Sequence, residues 1–290
     1  MDRKDITIIL VSYFSFLHLK RIAKIFDKNN IIIIENSKDL KVKTYFKNRK
    51  NINVIFPKKN LGYGAGNNLG IKLSKSPYCL ILNPDTLFKY KDFKKLEKYI
   101  TEIYDFGLLL PRLKNSKSIN AFNDTNDKII KANYKFIGLD YASGCAMLIN
   151  KKKFKKNCIF DPKIFLYKEE TDLIKRCEFK NINCFLLKDI TVKHFGTSSI
   201  KNKKISSVES EKFRNWHWMW SNFYFYKKHY GLTYSLIKFS RSFISAIIKL
   251  SFYSLSNNQK FEIYWARFNG LLCSMLNKNS NYRINYKNKL

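Results

Sequence analysis

No two of the six cysteines stand three residues apart, so the chain has neither a C-x-x-C redox motif nor the paired spacing of a structural zinc site. Several of Cys79, Cys145, Cys158, Cys177, Cys184 and Cys273 lie in apolar runs, and buried free thiols in a reducing cytosol are expected. A G-x-x-x-x-G-K-[ST] phosphate loop is missing, and Gly62, Gly64, Gly66 and Gly70 do not fit the G-x-G-x-x-G dinucleotide fingerprint. The first apolar run, Ile6–Val11, is too short for a secretory signal and lacks a small-residue cleavage site, which predicts a protein that stays in the cytoplasm. Leu232–Leu255 is apolar but broken by Lys238, Arg241 and Lys249, which argues against a membrane-spanning helix. Acids are scarce: 22 Asp and Glu stand against 55 Lys and Arg, a net charge of +33. Nucleic acid would suit that balance, but the cations are spread along the chain and no nucleic-acid module is recognisable. No nucleic-acid partner is expected; an anionic membrane or an anionic small-molecule ligand fits the same charge.

What is present points to a folded α/β chain. Hydrophobic content of 45% and aromatics at 16% exclude a disordered polymer, and 290 residues allow a core of roughly 200 residues plus a smaller appended region. Short apolar runs at Ile6–Val11, Ile31–Ile34, Asn53–Phe56, Tyr78–Leu82 and Phe106–Leu110 alternate with helix-like stretches at Leu17–Phe26 and Tyr90–Ile103. Such alternation predicts a Rossmann-related, mainly parallel sheet, with ligands beyond the carboxyl ends of its strands. Ser12, Glu35, Asn60–Asn68 and Asp85 all fall at such ends.

Two motifs stand out. Asn60-Leu61-Gly62-Tyr63-Gly64-Ala65-Gly66-Asn67-Asn68-Leu69-Gly70 reads as a loop whose bare backbone can approach a ligand. Tyr78–Leu82 reads as a buried strand ending in the turn Asn83-Pro84-Asp85. A carboxylate where a strand meets a loop is well placed for Mg²⁺ or Mn²⁺, which take oxygen ligands and keep positions open for phosphates. Order and spacing together suggest a nucleotide-diphosphate site.

The blocks downstream extend this pattern. Ser143–Ile149 (SGCAMLI), Phe160–Leu173 (FDPKIFLYKEETDL) and His194–Ser198 (HFGTS) follow in turn, and from about Ile6 to about Ser199 the chain resembles the family 2 inverting glycosyltransferases, in particular the rhamnosyltransferase-like branch. The resemblance implies a GT-A-like catalytic domain over residues 1–205 and a nucleotide-sugar donor. It places Ser12 and Tyr13, then Glu35 and Asn36, against the nucleoside, and Asn60, Gly62, Gly66 and Asn67 along the ribose and diphosphate. Asn83 and Asp85 correspond to its D-x-D motif, with Asp85 as metal ligand and His194 as a further metal or phosphate contact. Ser143 and Gly144 fall on the acceptor side. Glu169-Glu170-Thr171-Asp172 resembles its E-D-x-D block, which implies Glu170 as general base with Glu169 and Asp172 as neighbouring candidates. The same carboxylates would favour a helix N-terminus, with Leu173, Ile174 and Cys177 facing a core.

Residues 206–290 read as a helical, aromatic and basic region. The polar run Ser198–Glu211 reads as a linker or mobile loop. In Phe213–Tyr230, Phe213, Trp216, Trp220 and Phe223 share helical spacing and suit a core, yet the tryptophans, Trp218 included, lie near Lys227 and Lys228 as at a lipid interface. Leu232–Leu255, apolar but broken by Lys238, Arg241 and Lys249, continues this character, and an interfacial region serving a lipid-linked or polysaccharide acceptor on the inner face of the plasma membrane is the expectation. The rival donors are UDP-galactofuranose or a UDP-hexose; the rival class is a catalytically silent binding protein.

Overall fold

The computed structural model describes residues 5–114, 129–131, 134–136, 144–154, 159–195 and 207–284. They form two compact units, one of residues 1–161 with 170–199, the other of residues 162–169 with 200–290.

The first unit is built on β1 (Ile6–Ser12), β2 (Asn30–Glu35), β3 (Ile52–Ile55), β4 (Tyr78–Leu82), β5 (Thr86–Leu87), β6 (Leu108–Leu113), β7 (Ile129–Lys131), β8 (Tyr134–Phe136), β9 (Ala146–Asn150) and β10 (Cys184–His194). Helices α1 (Phe16–Ile25), α2 (Leu40–Phe46), α3 (Gly62–Leu73), α4 (Tyr90–Glu102) and α5 (Glu169–Phe179) connect them. The sheet order is β3-β2-β1-β4-β9-β6-β10-β8-β7, with β5 paired to β10. Strands β3, β2, β1 and β4 are mutually parallel, and β9 runs against both β4 and β6. Because β6 and β10 are parallel, both run in the same direction as β4, as the mainly parallel α/β reading expects. The central strands are near-continuous Ile, Leu and Val because both faces are covered. One face carries α1 and α4 over a core including Leu10, Phe26, Leu80, Phe93 and Leu148; the other buries Ile71, Ile81, Leu110, Met147 and Leu173.

The glycine-rich segment departs from the sequence reading. From Gly62 onward it is helix α3, not a loop. An added Cβ on Gly66 would stand 3.0 Å from the Val11 methyls, and one on Gly70 only 2.4 Å from Ile9 Cγ2. These glycines let α3 lie tightly on β1, so the bareness of Gly66 and Gly70 serves packing.

The second unit holds α6 (Ser207–Tyr230), α7 (Leu232–Ser256) and α8 (Asn258–Met275). The part of the supposed linker that is described, Ser207–Glu211, is the first turn of α6; the rest lies outside the described residues. Trp216 and Trp220 are buried, and their indole N–H groups donate to Asn269 Oδ1 and Lys278 O at 2.9 Å each. These two tryptophans are core and cannot meet lipid; Trp218, off their helical face, is exposed. His217 is fully buried beside Phe165, Phe213 and Trp216, with Nδ1 3.0 Å from Ser280 Oγ and Nε2 2.9 Å from Tyr282 O. Since a carbonyl can only accept, Nε2 carries the proton and Nδ1 accepts from the serine hydroxyl. Among the described cysteines all are free; Cys79, Cys145, Cys177 and Cys184 are buried and Cys273 half-buried.

Candidate active site

Parallel strands deliver their carboxyl ends to one edge, which here receives Ser12 from β1, Glu35 from β2, the Asn83-Pro84-Asp85 turn after β4 and His194 from β10. Helix α5 returns to the start of β10 within a few residues, so it runs against β10 and opens at this same edge. Glu169, Glu170 and Asp172 lie in its first turn.

The turn after β4 is clamped on several sides. Asn83 N–H donates to Cys145 O (2.9 Å), Thr86 N–H to Asn83 O (3.0 Å), and Thr86 Oγ1 to Cys145 O (3.1 Å). Arg21 of α1 donates from Nη2 to both Pro84 O and Thr86 O at 3.0 Å. His194 is register partner of Thr86 and brings Nε2 to 3.0 Å from Asp85 Oδ1. Burial lowers the pKa of Arg21 while the nearby Asp85 charge raises it, so a guanidinium and a carboxylate share this corner. Nothing in the sequence reading singled out Arg21, whose place in an amphipathic helix looks ordinary.

Among the described residues no three His, Cys, Asp or Glu side chains converge to cage a cation. The Asp85–His194 pair fits an ion that draws most of its shell from water and substrate oxygens, as Mg²⁺ and Mn²⁺ do.

Glu35, which the family resemblance assigns to the nucleoside, is fully buried. Its Oε1 accepts from Ser37 N–H (2.9 Å) and from the Ser37 hydroxyl, while Oε2 is buried without a hydrogen-bond partner among the described residues. Ser12 Oγ and both polar atoms of Asn67 are in the same condition. A buried polar atom lacking a partner costs about 1–3 kcal/mol, so such a group of orphans marks a place where water or ligand completes the bonding. Asn36 is committed to the chain, donating to Gly62 O (3.3 Å) and accepting from Leu61 N–H (3.1 Å). Asn60 Oδ1 accepts from Gly62 N–H (2.9 Å), and the φ of 76° at Gly62 is a value that L side chains avoid. These two asparagines therefore set the start of α3. Tyr13 is half-buried with its ring edge-on to Phe14, and Phe14 holds a φ of 49°.

Gly144 O accepts from the Tyr63 hydroxyl, and a Cβ on Gly144 would meet that oxygen at 2.9 Å. Ser143 lies outside the described residues. Asn68, at the end of the Asn60–Asn68 segment that the resemblance sets along the ribose and diphosphate, bonds Phe160 O (2.8 Å) and the N–H groups of Ile159 and Phe160 (3.0 and 2.9 Å).

The three acidic candidates on α5 separate by environment. Asp172 is fully buried and accepts from Arg176 Nε at 2.8 Å, while the same arginine donates to Ile159 O at 2.5 Å. Glu169 is buried; Glu170 is half-exposed. Leu173, Ile174 and Cys177 face the core as expected of the helix.

Residues 15–158 match glycosyl transferase family 2. The chain carries a glycosyl transferase family 2 domain. It is 25% identical over 198 residues to the low-salt glycan biosynthesis hexosyltransferase Agl10 of Haloferax volcanii, covering 62% of this chain and 63% of that protein. It is 28% identical over 229 residues to an uncharacterised glycosyltransferase of Methanocaldococcus jannaschii, covering 71% and 75%. The chain thus spans somewhat under two thirds of the Haloferax relative. Its fold is similar to that of a Pyrobaculum calidifontis mannosyltransferase solved with GDP-Man and Mn²⁺, with a TM-score of 0.59 at 8% identity over 95% of this chain and 88% of that one. S. aureus TarS with bound UDP gives 0.53 at 15% identity over 97% and 94%. Both likenesses are of fold, and the GT-A-like architecture stands.

Proposed function

We propose that this glycosyltransferase is an inverting enzyme that moves a sugar, rhamnose-like in the first instance, from a nucleotide-diphosphate donor to a lipid-linked or surface-polysaccharide acceptor. The observation that carries the reading is the Asp85–His194 pair on the strand edge where α5 also opens with the half-exposed Glu170. Asp85 and His194 would hold a divalent cation, Mg²⁺ or Mn²⁺, which when bound neutralises charge on the leaving diphosphate. Arg21 fixes the turn that presents Asp85. Glu35 Oε2 offers an acceptor to a base N–H, and Ser12 Oγ and the side-chain amide of Asn67 offer further buried polar atoms to a ligand.

Glu170 takes the proton from the acceptor hydroxyl; that oxygen then bonds the anomeric carbon as its bond to the phosphate oxygen breaks, and the nucleoside diphosphate leaves. A single displacement with one base inverts the anomeric centre. Glu169 is too buried to share the role, and Asp172 is engaged by Arg176. The bound nucleotides of the structural relatives, GDP-Man in one and UDP in another, support a nucleotide-sugar donor while leaving UDP-galactofuranose or a UDP-hexose as the alternative sugars. The chain works at the inner face of the plasma membrane, on an anionic surface.

Purified protein screened against nucleotide sugars with Mn²⁺ tests this reading. A donor present at 100 times its dissociation constant adds about 2.7 kcal/mol of stability, which a melting curve reads directly. Release of nucleoside diphosphate from the stabilising donor in the presence of acceptor is the expected outcome; stabilisation with no turnover across acceptors would favour the silent binding protein.

A further inference from the structure

Helix α7 turns one side to its own unit and leaves the other uncovered. Ser235, Phe239 and Ala246 are buried, with Phe239 packed on Met219, Phe223 and Leu271. On the opposite side Ile237 is 71% exposed, Ile244 56%, Ile248 64% and Leu255 94%, with Phe252 beside them at 65%. At 100° per residue Ile237, Ile244, Ile248 and Leu255 fall within about 40° of one another, a continuous aliphatic stripe facing away from the core. No helix among the described residues is long and apolar enough to cross a membrane.

The charges on α7 say what covers this stripe. Its 25 residues contain Lys238, Arg241 and Lys249 and no acidic residue. Lys238 lies 4.5 Å from the Tyr226 ring centroid and 5.9 Å from that of Tyr234, and Lys249 lies 4.9 Å from that of Tyr264, so cations on long stems sit among amphipathic rings. Two copies of α7 packed face to face about a twofold axis would set Arg241, which interrupts the stripe, near its own copy with no acid to answer it. An anionic bilayer takes the aliphatic side chains at its acyl boundary and answers all three cations at its headgroups.

We propose that the outward face of α7, Ile237, Ile244, Ile248, Phe252 and Leu255 with Lys238, Arg241 and Lys249, is the surface by which the protein docks on an anionic lipid membrane. Where the proposed function places the chain at a membrane, this face supplies the contact in place of Trp216 and Trp220. Binding is read without sugar transfer, so its failure leaves the transfer reading intact.

The test is co-sedimentation of the full-length protein with phosphatidylglycerol/phosphatidylcholine vesicles and with phosphatidylcholine alone, at low and high salt. The wild type partitions onto the anionic vesicles and is released by salt. Combined Ile237→Ser, Ile248→Ser and Leu255→Ser weaken partition at least about tenfold, while Lys238→Gln, Arg241→Gln and Lys249→Gln together weaken it at least about fivefold and remove the preference for anionic lipid. Because these side chains are exposed, both variants keep the wild-type melting temperature and circular dichroism. Four results overturn the proposal: a wild type that stays in solution with anionic vesicles, equal partition onto neutral vesicles, an aliphatic variant that binds like the wild type, or light scattering that shows a dimer lost in the aliphatic variant without any lipid binding.

Discussion

Replacing Arg176 by methionine keeps a long side chain on α5 but removes the guanidinium that ties two elements together. The wild-type arginine reaches Asp172 Oδ2 at 2.8 Å and Ile159 O at 2.5 Å. Asp172 is fully buried, so the variant confines a carboxylate away from water without the cation that faces it. Breaking a buried ion pair from one side costs about 3–5 kcal/mol, and the lower end applies because the Arg176 side chain is 24% exposed and water can follow into the space it leaves. About 3 kcal/mol lowers the melting temperature of a unit this size by roughly 6–12 °C. Adding Asp172→Asn removes the stranded charge and recovers part of the loss, giving a coupling energy in the double-mutant cycle. Thermal melting followed by far-ultraviolet circular dichroism on all four proteins is the assay. An Arg176→Met shift below about 2 °C would show that the pair does not hold the start of α5, and would return Asp172 to the candidates for the base.

Acid should act on the helical unit through His217. Burial holds its pKa down at about 3, against 6.5 when solvated. The folded state therefore excludes a proton that the unfolded chain accepts, so this contribution to stability is complete above pH 6.5 and is lost as pH falls from 6.5 toward 3. At pH 4.5 the loss is on the order of 2–3 kcal/mol, and His217→Gln should flatten the pH dependence of melting across that window. At Gly70 a methyl gains up to about 1 kcal/mol of helix propensity but meets Ile9 Cγ2 at 2.4 Å, and overpacking of about 1–3 kcal/mol prevails, so Gly70→Ala should be net destabilising in a denaturant titration. Glu170→Gln should reduce transfer by on the order of 10²-fold or more while donor binding is unchanged; near-normal turnover would move the base elsewhere.

The parts of the fold legible in the sequence were those whose burial is two-sided. Ile6–Val11, Ile31–Ile34 and Tyr78–Leu82 are unbroken apolar runs because they lie at the middle of a covered sheet, and each is a strand. Asp85 and His194, 109 positions apart, were paired only through a family resemblance; the physical cause of their meeting is the register of β5 on β10. The glycines misled because their number was weighed and their spacing was not: Gly62, Gly66 and Gly70 recur every four residues, the period of one helix face. The tryptophans hid the reverse lesson. Trp216 and Trp220 share a face and go inward, whereas the uncovered apolar surface belongs to α7, which the sequence reading had joined with the tryptophans in one interfacial region. Arg21 left no signal at all, since only the folded chain brings it to the carbonyls of Pro84 and Thr86.

The most direct measurement of the central claim is calorimetric titration of nucleoside diphosphates (UDP, GDP and dTDP) into wild type and Asp85→Ala, each with and without Mn²⁺. A site built on the Asp85–His194 pair predicts that Mn²⁺ tightens the preferred nucleotide at least about tenfold in the wild type and has no effect in the variant, whose melting temperature is unchanged. Equal, cation-independent affinity in the two proteins would contradict it.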